Sequence, residues 1–357
     1  MAQANILGID FIEFYVGNLI QASHFYKTAL GFSSIAYRDH NKDFENSASV
    51  LLRQNKIYFI LTSTSKPTST IAVHISKHGD GVKDIALLTD NVNEAFAKAI
   101  ECGARVIQPP TVVNDNGSKI IKAIISTFGE TQHTLIEREG EADFFLPGFE
   151  QQANDIGNTK VDLQDIDHLA ICIEEGTLDK WSIFYQEAFG FTEIYREEVH
   201  NGNSGMNSIV LQNELGNCKF TILEPLPGAQ KSQIQNFLDF YQDCGVQHIA
   251  LITDDIISSV TKLRNNGMNF LRIPRPYYIS LPERISELQN IENLEKLQIL
   301  VDRDKDGLLF QVFSKVIQTQ PTFFIEVIQR QGATTFGKGN IRALFEAVAR
   351  EQKENEK

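Results

Sequence analysis

The chain repeats itself, and the repeat limits what it can fold into. Ile9-Asp10-Phe11-Ile12-Glu13-Phe14 leads into a helix-patterned stretch ending Phe25-Tyr26-Lys27-Thr28-Ala29-Leu30-Gly31-Phe32. Ile166-Asp167-His168-Leu169-Ala170-Ile171 leads into one ending Phe184-Tyr185-Gln186-Glu187-Ala188-Phe189-Gly190-Phe191. A second pair of echoes is Gly81-Val82-Lys83-Asp84-Ile85-Ala86-Leu87 and Gly245-Val246-Gln247-His248-Ile249-Ala250-Leu251. Self-similarity of this kind means copies of one supersecondary unit. Both members of the second pair run into a helical pattern closed by Cys102-Gly103 or Asn266-Gly267, where glycine suits the left-handed residue that ends a helix. Runs such as Ser208-Ile209-Val210-Leu211 and Phe220-Thr221-Ile222-Leu223 are short and rich in β-branched or aromatic residues, and read as strands. Each half is therefore expected to hold two strand–helix–strand–strand–strand units. The fold class is α+β, with four such modules forming two open, barrel-like sheets that each wrap a concave face. Residues 141–163, rich in Gln, Asn, Gly and Asp, read as the linker. The expected domains are 1–145, without metal, and 160–357, carrying the site.

Three strands each hold one residue that does not belong in a core: His168, His248 and, in Thr322-Phe323-Phe324-Ile325-Glu326-Val327-Ile328, Glu326. They are almost evenly spaced along the chain. Two histidines and a carboxylate form the ligand set of a non-haem Fe(II) site. A lone histidine on a buried strand is more often a hydrogen-bonded core residue. Glu326 is harder to explain that way, because an unpaired carboxylate between apolar neighbours costs several kcal/mol or more. The repeat supplies a control. Opposite His168, His248 and Glu326 the first half has Phe11, Asp84 and Thr134. It lacks the triad, so the second half is the active one. The other histidines, His24, His40, His74, His78, His133 and His200, read as surface or structural.

Composition excludes several classes. A formal net charge of −13 opposes non-specific binding to nucleic acid or acidic membrane. No apolar run reaches the ~20 residues of a membrane span. The N-terminus lacks a signal-peptide pattern, which points to the cytoplasm. The four scattered cysteines form no Cys-x-x-Cys pair, so zinc-ribbon and thioredoxin readings fail. A helix is expected from Leu281 to Leu297, with Ile285, Leu288, Ile291 and Leu294 on its apolar face. Asp302-Arg303-Asp304-Lys305-Asp306-Gly307 has the start of a calcium loop, but the twelfth position is Phe313 where a Glu is required, which favours a simple Asp-Gly hairpin turn. Gln233, Gln247 and Gln311 are a second group of interest. Gln311 sits between apolar neighbours and needs partners. Gln247 directly precedes a ligand and should point to the opposite face of its strand.

The chain resembles the family of 4-hydroxyphenylpyruvate dioxygenase and 4-hydroxymandelate synthase, of vicinal-oxygen-chelate fold. The resemblance runs nearly end to end. It rests on Lys231-Ser232-Gln233-Ile234-Gln235, on Gly245 to Leu251, on Ile299-Leu300-Val301-Asp302-Arg303-Asp304, and above all on Pro321 to Arg330 followed by Phe336-Gly337-Lys338-Gly339-Asn340. It implies that His168, His248 and Glu326 bind Fe(II), which holds an arylpyruvate and O2 together. It also implies that Ser208, Thr221, Leu223, Gln233, Gln247, Gln311, Phe313, Phe324, Phe336 and Ile341 form the substrate pocket. The implied partners are small molecules, neither nucleic acid nor membrane, with a homodimer or homotetramer admitted.

The two branches of that family differ in where the substrate is hydroxylated. The dioxygenase oxidises the ring carbon bearing the side chain, which migrates to give homogentisate; the synthase oxidises the benzylic carbon. The dioxygenase branch usually has Phe after the Gly-Asn of the C-terminal motif, and Pro and Asn on the strand before Glu224-Pro225. This chain has Ile341, Thr221 and Leu223. Ile341 and Thr221 resemble the synthase. Replacing Phe by Ile removes a flat wall, so the ring can tilt and present its benzylic C–H. Drift within a dioxygenase pocket is the alternative, since similar apolar swaps are tolerated. The expected reaction is 4-hydroxyphenylpyruvate to 4-hydroxymandelate and CO2. The rivals are the homogentisate-forming dioxygenase and a metal-free binding protein of the same fold. After Asn340, an expected N-cap, Ile341, Leu344, Phe345 and Val348 make one apolar helix face that should close the second barrel.

Overall fold

In the computed structural model the repeat becomes two curled mixed sheets. The structure describes residues 4–41, 46–115, 118–139, 146, 148–151, 160–200, 204–228, 230–337, 339–341 and 343–344. The first half runs β1 (Ile6–Tyr15), α1 (Leu19–Thr28), β2 (Ser33–Asn41), β3 (Ser47–Gln54), β4 (Ile57–Thr64), α2 (Thr70–His78), β5 (Gly81–Thr89), α3 (Val92–Glu101), β6 (Val106–Asp115), β7 (Ser118–Ser126), β8 (Gln132–Glu139) and β9 (Glu150–Gln151). The second runs β10 (Leu163–Cys172), α4 (Leu178–Phe189), β11 (Thr192–His200), β12 (Gly205–Gln212), β13 (Lys219–Leu226), α5 (Gln233–Tyr241), β14 (Gly245–Thr253), α6 (Ile256–Asn265), α7 (Arg275–Arg284), α8 (Ile291–Leu297), β15 (Leu300–Arg303), β16 (Leu308–Phe313) and β17 (Phe324–Gln331).

The strand orders are β6-β7-β8-β5-β1-β4-β3-β2-β9 and β11-β12-β13-β10-β14-β17-β16-β15. The second sheet is thus two four-stranded modules and the first is two such modules with β9 added at its edge, each joined through an antiparallel central pair, β1 with β5 and β10 with β14. In each module the first strand runs parallel to the last, as β14 does to β17, and the helix makes the crossover. Alternation along the strands sorts the side chains. In β1, Ile12 and Phe14 face a core shared by both halves, and Phe11 faces the separate interior of the first sheet. Phe14 meets Phe323 edge-on, and His133 bridges the Ile85 carbonyl and the Tyr185 hydroxyl, so the two halves pack as one body.

The expected helix-closing glycines adopt the left-handed region: φ is 98° at Gly103 and 94° at Gly267. Other expectations change. The single helix from Leu281 to Leu297 is two helices, α7 and α8. Asn290, at φ 57°, breaks the helical path between them. The linker contributes to the first sheet, because Glu150 and Gln151 pair with β2; residues 152–159 lie outside the described residues. The 302–307 segment is the β15–β16 hairpin. Asp304 spends its carboxylate on the backbone N–H groups of Asp306, Gly307, Thr334 and Thr335, which takes the place of a cation.

Candidate active site

The triad is assembled by register. His168 on β10 lies opposite Ala250 on β14, which lies beside Glu326 on β17. His248 lies opposite Ala170. Two alanines therefore sit among three long polar side chains and leave the space into which these converge. His168 Nε2 is 3.3 Å and His248 Nε2 is 3.5 Å from Glu326 Oε2. All three residues are buried.

The neighbours fix the ring tautomers. His168 Nδ1 donates to Asp167 Oδ1 at 2.8 Å, and His248 Nδ1 faces Gln247 Oε1 at 3.3 Å. Each Nε2 lone pair is thereby turned towards Glu326. Asp167 is held in turn by a two-point pair with Arg330, at 2.7 and 2.9 Å. The guanidinium also donates to the Ala333 and Thr335 carbonyls and lies over the Phe336 ring. Burial disfavours ionised Glu326, yet His168 and His248 outweigh it and hold its carboxyl down to about 2. Burial likewise works against a charged His168, but Glu326 and Asp167 raise its pKa; at His248 burial wins and the pKa falls. Two imidazole nitrogens and one ionised carboxylate converge as the donor set of a candidate cation site, and these residues fit Fe(II).

A cavity opens over the triad. It is lined by Ser208, Thr221, Leu223, Gln233, Gln247, Gln311, Phe313, Phe336 and Ile341 of the expected pocket, by Leu344 of the expected closing face, and also by Tyr195, Met206 and Val210, which sequence reasoning missed. Phe324, the remaining residue of the expected pocket, stacks on the His248 ring at 4.7 Å and 24°. Gln247 is a correction. Opposite β10 the register jumps from His248 to Val246, so Gln247 is the extra residue of a β-bulge. The bulge breaks the alternation and turns Gln247 and His248 into one cavity. Asn340 is a second. Its side chain caps no helix: Nδ2 donates to Gln311 Oε1 at 2.8 Å, and Oδ1 accepts from the Tyr277 hydroxyl at 2.9 Å. Ile341 and Leu344 do reach the cavity; Phe345 and Val348 lie outside the described residues.

The first half confirms the repeat and its divergence. Phe11 lies opposite Ala86, and Glu13 opposite Asp84, as His168 and Ala170 lie opposite Ala250 and His248. Asp84 accepts from Thr134 and Gln132, so the repeat-equivalent of the triad is an internally satisfied hydrogen-bond cluster.

Comparison with known proteins settles the family. Residues 2–161 match the N-terminal family of hydroxyphenylpyruvate dioxygenase, and residues 165–312 match the glyoxalase/bleomycin resistance protein/dioxygenase superfamily. A curated 4-hydroxyphenylpyruvate dioxygenase of Coccidioides posadasii is 37% identical over 97% of this chain and 93% of its own length. The chain belongs to the 4-hydroxyphenylpyruvate dioxygenase family. The Dictyostelium discoideum dioxygenase is 35% identical over 97% of this chain and 98% of its own. A solved structure from the same family, a triple mutant of 4-hydroxymandelate synthase from Streptomyces coelicolor, superposes with a TM-score of 0.86 at 34% identity, covering 99% of this chain and all of the other. The family's vicinal-oxygen-chelate architecture is the one described above. Among the described residues no helix is long and apolar enough to cross a membrane.

Proposed function

We propose that this protein is an Fe(II)-dependent oxygenase that converts 4-hydroxyphenylpyruvate and O2 to 4-hydroxymandelate and CO2. The observation that carries the reading is the convergence of His168, His248 and Glu326 on the floor of a cavity with aromatic and amide walls. The bound metal would supply a centre that holds keto acid and O2 side by side and carries the redox chemistry. This chain's residues do the rest. Asp167 and Gln247 orient the imidazoles, Gln311 holds the carboxylate, and Phe313 and Phe336 wall the aromatic ring.

Two buried atoms support a hydroxylated ring. Gln233 Oε1 and Thr221 Oγ1 have no hydrogen-bond partner among the described residues. Such atoms are rare unless a ligand or water completes them. A phenolic hydroxyl could donate to either. The benzylic outcome rests on Leu223 and Ile341, two aliphatic side chains beside Thr221 that leave the ring free to tilt. Homogentisate is the second reading, favoured by the dioxygenase names of the curated relatives.

The test of the centre is direct. Anaerobically purified protein should bind one Fe(II) at this site, and 4-hydroxyphenylpyruvate should then trigger O2 uptake matched by CO2 release. His168→Ala, His248→Ala and Glu326→Ala should each abolish turnover and greatly weaken iron binding, because a three-residue set has no spare ligand. Full activity in any one would remove that residue from the centre.

A further inference from the structure

We propose that His74, His78 and Glu130 form a second divalent-metal site, suited to zinc, that fastens the first half of the chain to the second. The site lies outside the oxygenase centre and does not depend on that reading. His74 and His78 sit four residues apart on one buried face of α2, and Glu130 comes from the turn between β7 and β8. Four-residue spacing on a helix is how two imidazoles reach one ion.

The repeat shows that this polarity is unusual. Ser69 and Ser232 are the matching N-caps of α2 and α5, which places His74 and His78 opposite Phe237 and Tyr241. In the second half these are a stacked aromatic pair, 5.1 Å apart. The first half thus has two imidazoles where its copy has plain packing.

The hydrogen bonds then leave a gap that needs a cation. His78 Nδ1 donates to the Tyr241 carbonyl at 2.5 Å, which fixes the tautomer. Its Nε2 therefore presents a lone pair. That atom is buried without a hydrogen bond, and lies 3.2 Å from Glu130 Oε2, also an acceptor. His74 Nδ1 lies 3.1 Å from the same oxygen. Ligands on a tetrahedral zinc at ~2.0–2.1 Å stand roughly 3.3 Å apart. Both separations are close to that edge, and the three ligand atoms lie within 4.8 Å of one another. The other Glu130 oxygen accepts from Lys77 at 2.9 Å, leaving Oε2 for the ion. Burial comes first among the causes that push the His74 pKa down to about 4. Lys77 and Lys83 weaken any cation site, and Asp243, paired with Lys77 at 3.2 Å, offsets part of that. The fastening follows from the outer contacts, since Tyr241 and Asp243 both belong to the second half.

Zinc titrated into chelator-stripped protein tests this. Wild type should take two equivalents. Glu130→Gln and His74→Phe, the latter copying the second half's own residue, should each lose one and stay folded by circular dichroism. Glu326→Gln should lose the other equivalent, and zinc should still raise its melting temperature. Wild type taking a single equivalent that Glu326→Gln abolishes would overturn the proposal. So would two equivalents retained in both Glu130→Gln and His74→Phe.

Discussion

Gln311 donates to Glu326 Oε1 at 2.8 Å across adjacent strands, and its other amide atom is held by Asn340 at 2.8 Å. Tyr277 closes the chain by donating to Asn340, and its oxygen accepts from the Val301 N–H at 2.8 Å. A pocket amide is thus largely spent on orienting a ligand. It links the carboxylate to the segment around Asn340.

Removing that amide should act on the metal before the substrate. Gln311→Leu should weaken Fe(II) binding about 10–100-fold, the usual effect of losing an outer partner of a ligand. Anaerobic Fe(II) titration checks it. Unchanged iron affinity with a raised KM would make Gln311 a substrate contact instead.

The Asp167–Arg330 pair has a twin. Asp10 and Arg138 make the same two-point bond in the first half, at 2.8 and 2.5 Å. Its presence in both halves marks it as a brace of the fold. Asp10→Asn and Asp167→Asn should both destabilise, by about 3–5 kcal/mol if an unpaired arginine is left buried. Only Asp167→Asn should also weaken iron binding, through His168. Urea unfolding beside iron titration separates the two effects. Equal iron affinity in both variants would make Asp167 purely structural.

Asp84 should give a pH signature. Burial comes first among the causes that push its carboxyl up to about 6, with Glu13 adding and hydrogen bonds from Thr134 and Gln132 opposing. A raised folded pKa means that the folded state keeps a proton the unfolded state has lost, so stability falls as pH rises through that window. Relative to Asp84→Asn, wild type should lose on the order of 2–3 kcal/mol between about pH 4 and pH 6. Unfolding curves across pH measure it, and iron content at the oxygenase centre should not change. A gap between the two proteins that is constant with pH would contradict this.

The repeat, the sheets and the convergence of three strands were legible because each is written in a short local pattern. Gln247 was not, because a bulge overrides strand alternation and leaves no mark in composition. The Asp167–Arg330 brace joins residues far apart in sequence, though Asp10 and Arg138 in the other copy were a usable signal. His74 and His78 carried the four-residue spacing openly, but Glu130 arrives through a turn that only the fold brings near. Asn340 has the residue type of an N-cap, and tertiary hydrogen bonds claimed it instead.

Ile341 tests how the pocket chooses a product. Ile341→Phe should move part of the product towards homogentisate or related ring-hydroxylated species, because the added ring refills the space for tilting. A change of about 1–2 kcal/mol between competing transition states is enough for a visible shift. The shift should be partial, since Thr221 and Leu223 remain. An unaltered product ratio would remove Ile341 from that role.

The most direct measurement is product identification. Wild type with Fe(II), ascorbate, O2 and 4-hydroxyphenylpyruvate should release mainly 4-hydroxymandelate, identified by mass and chromatographic retention. Homogentisate as the sole product would contradict the proposed outcome, and no oxygen-dependent loss of the keto acid would contradict the oxygenase reading itself.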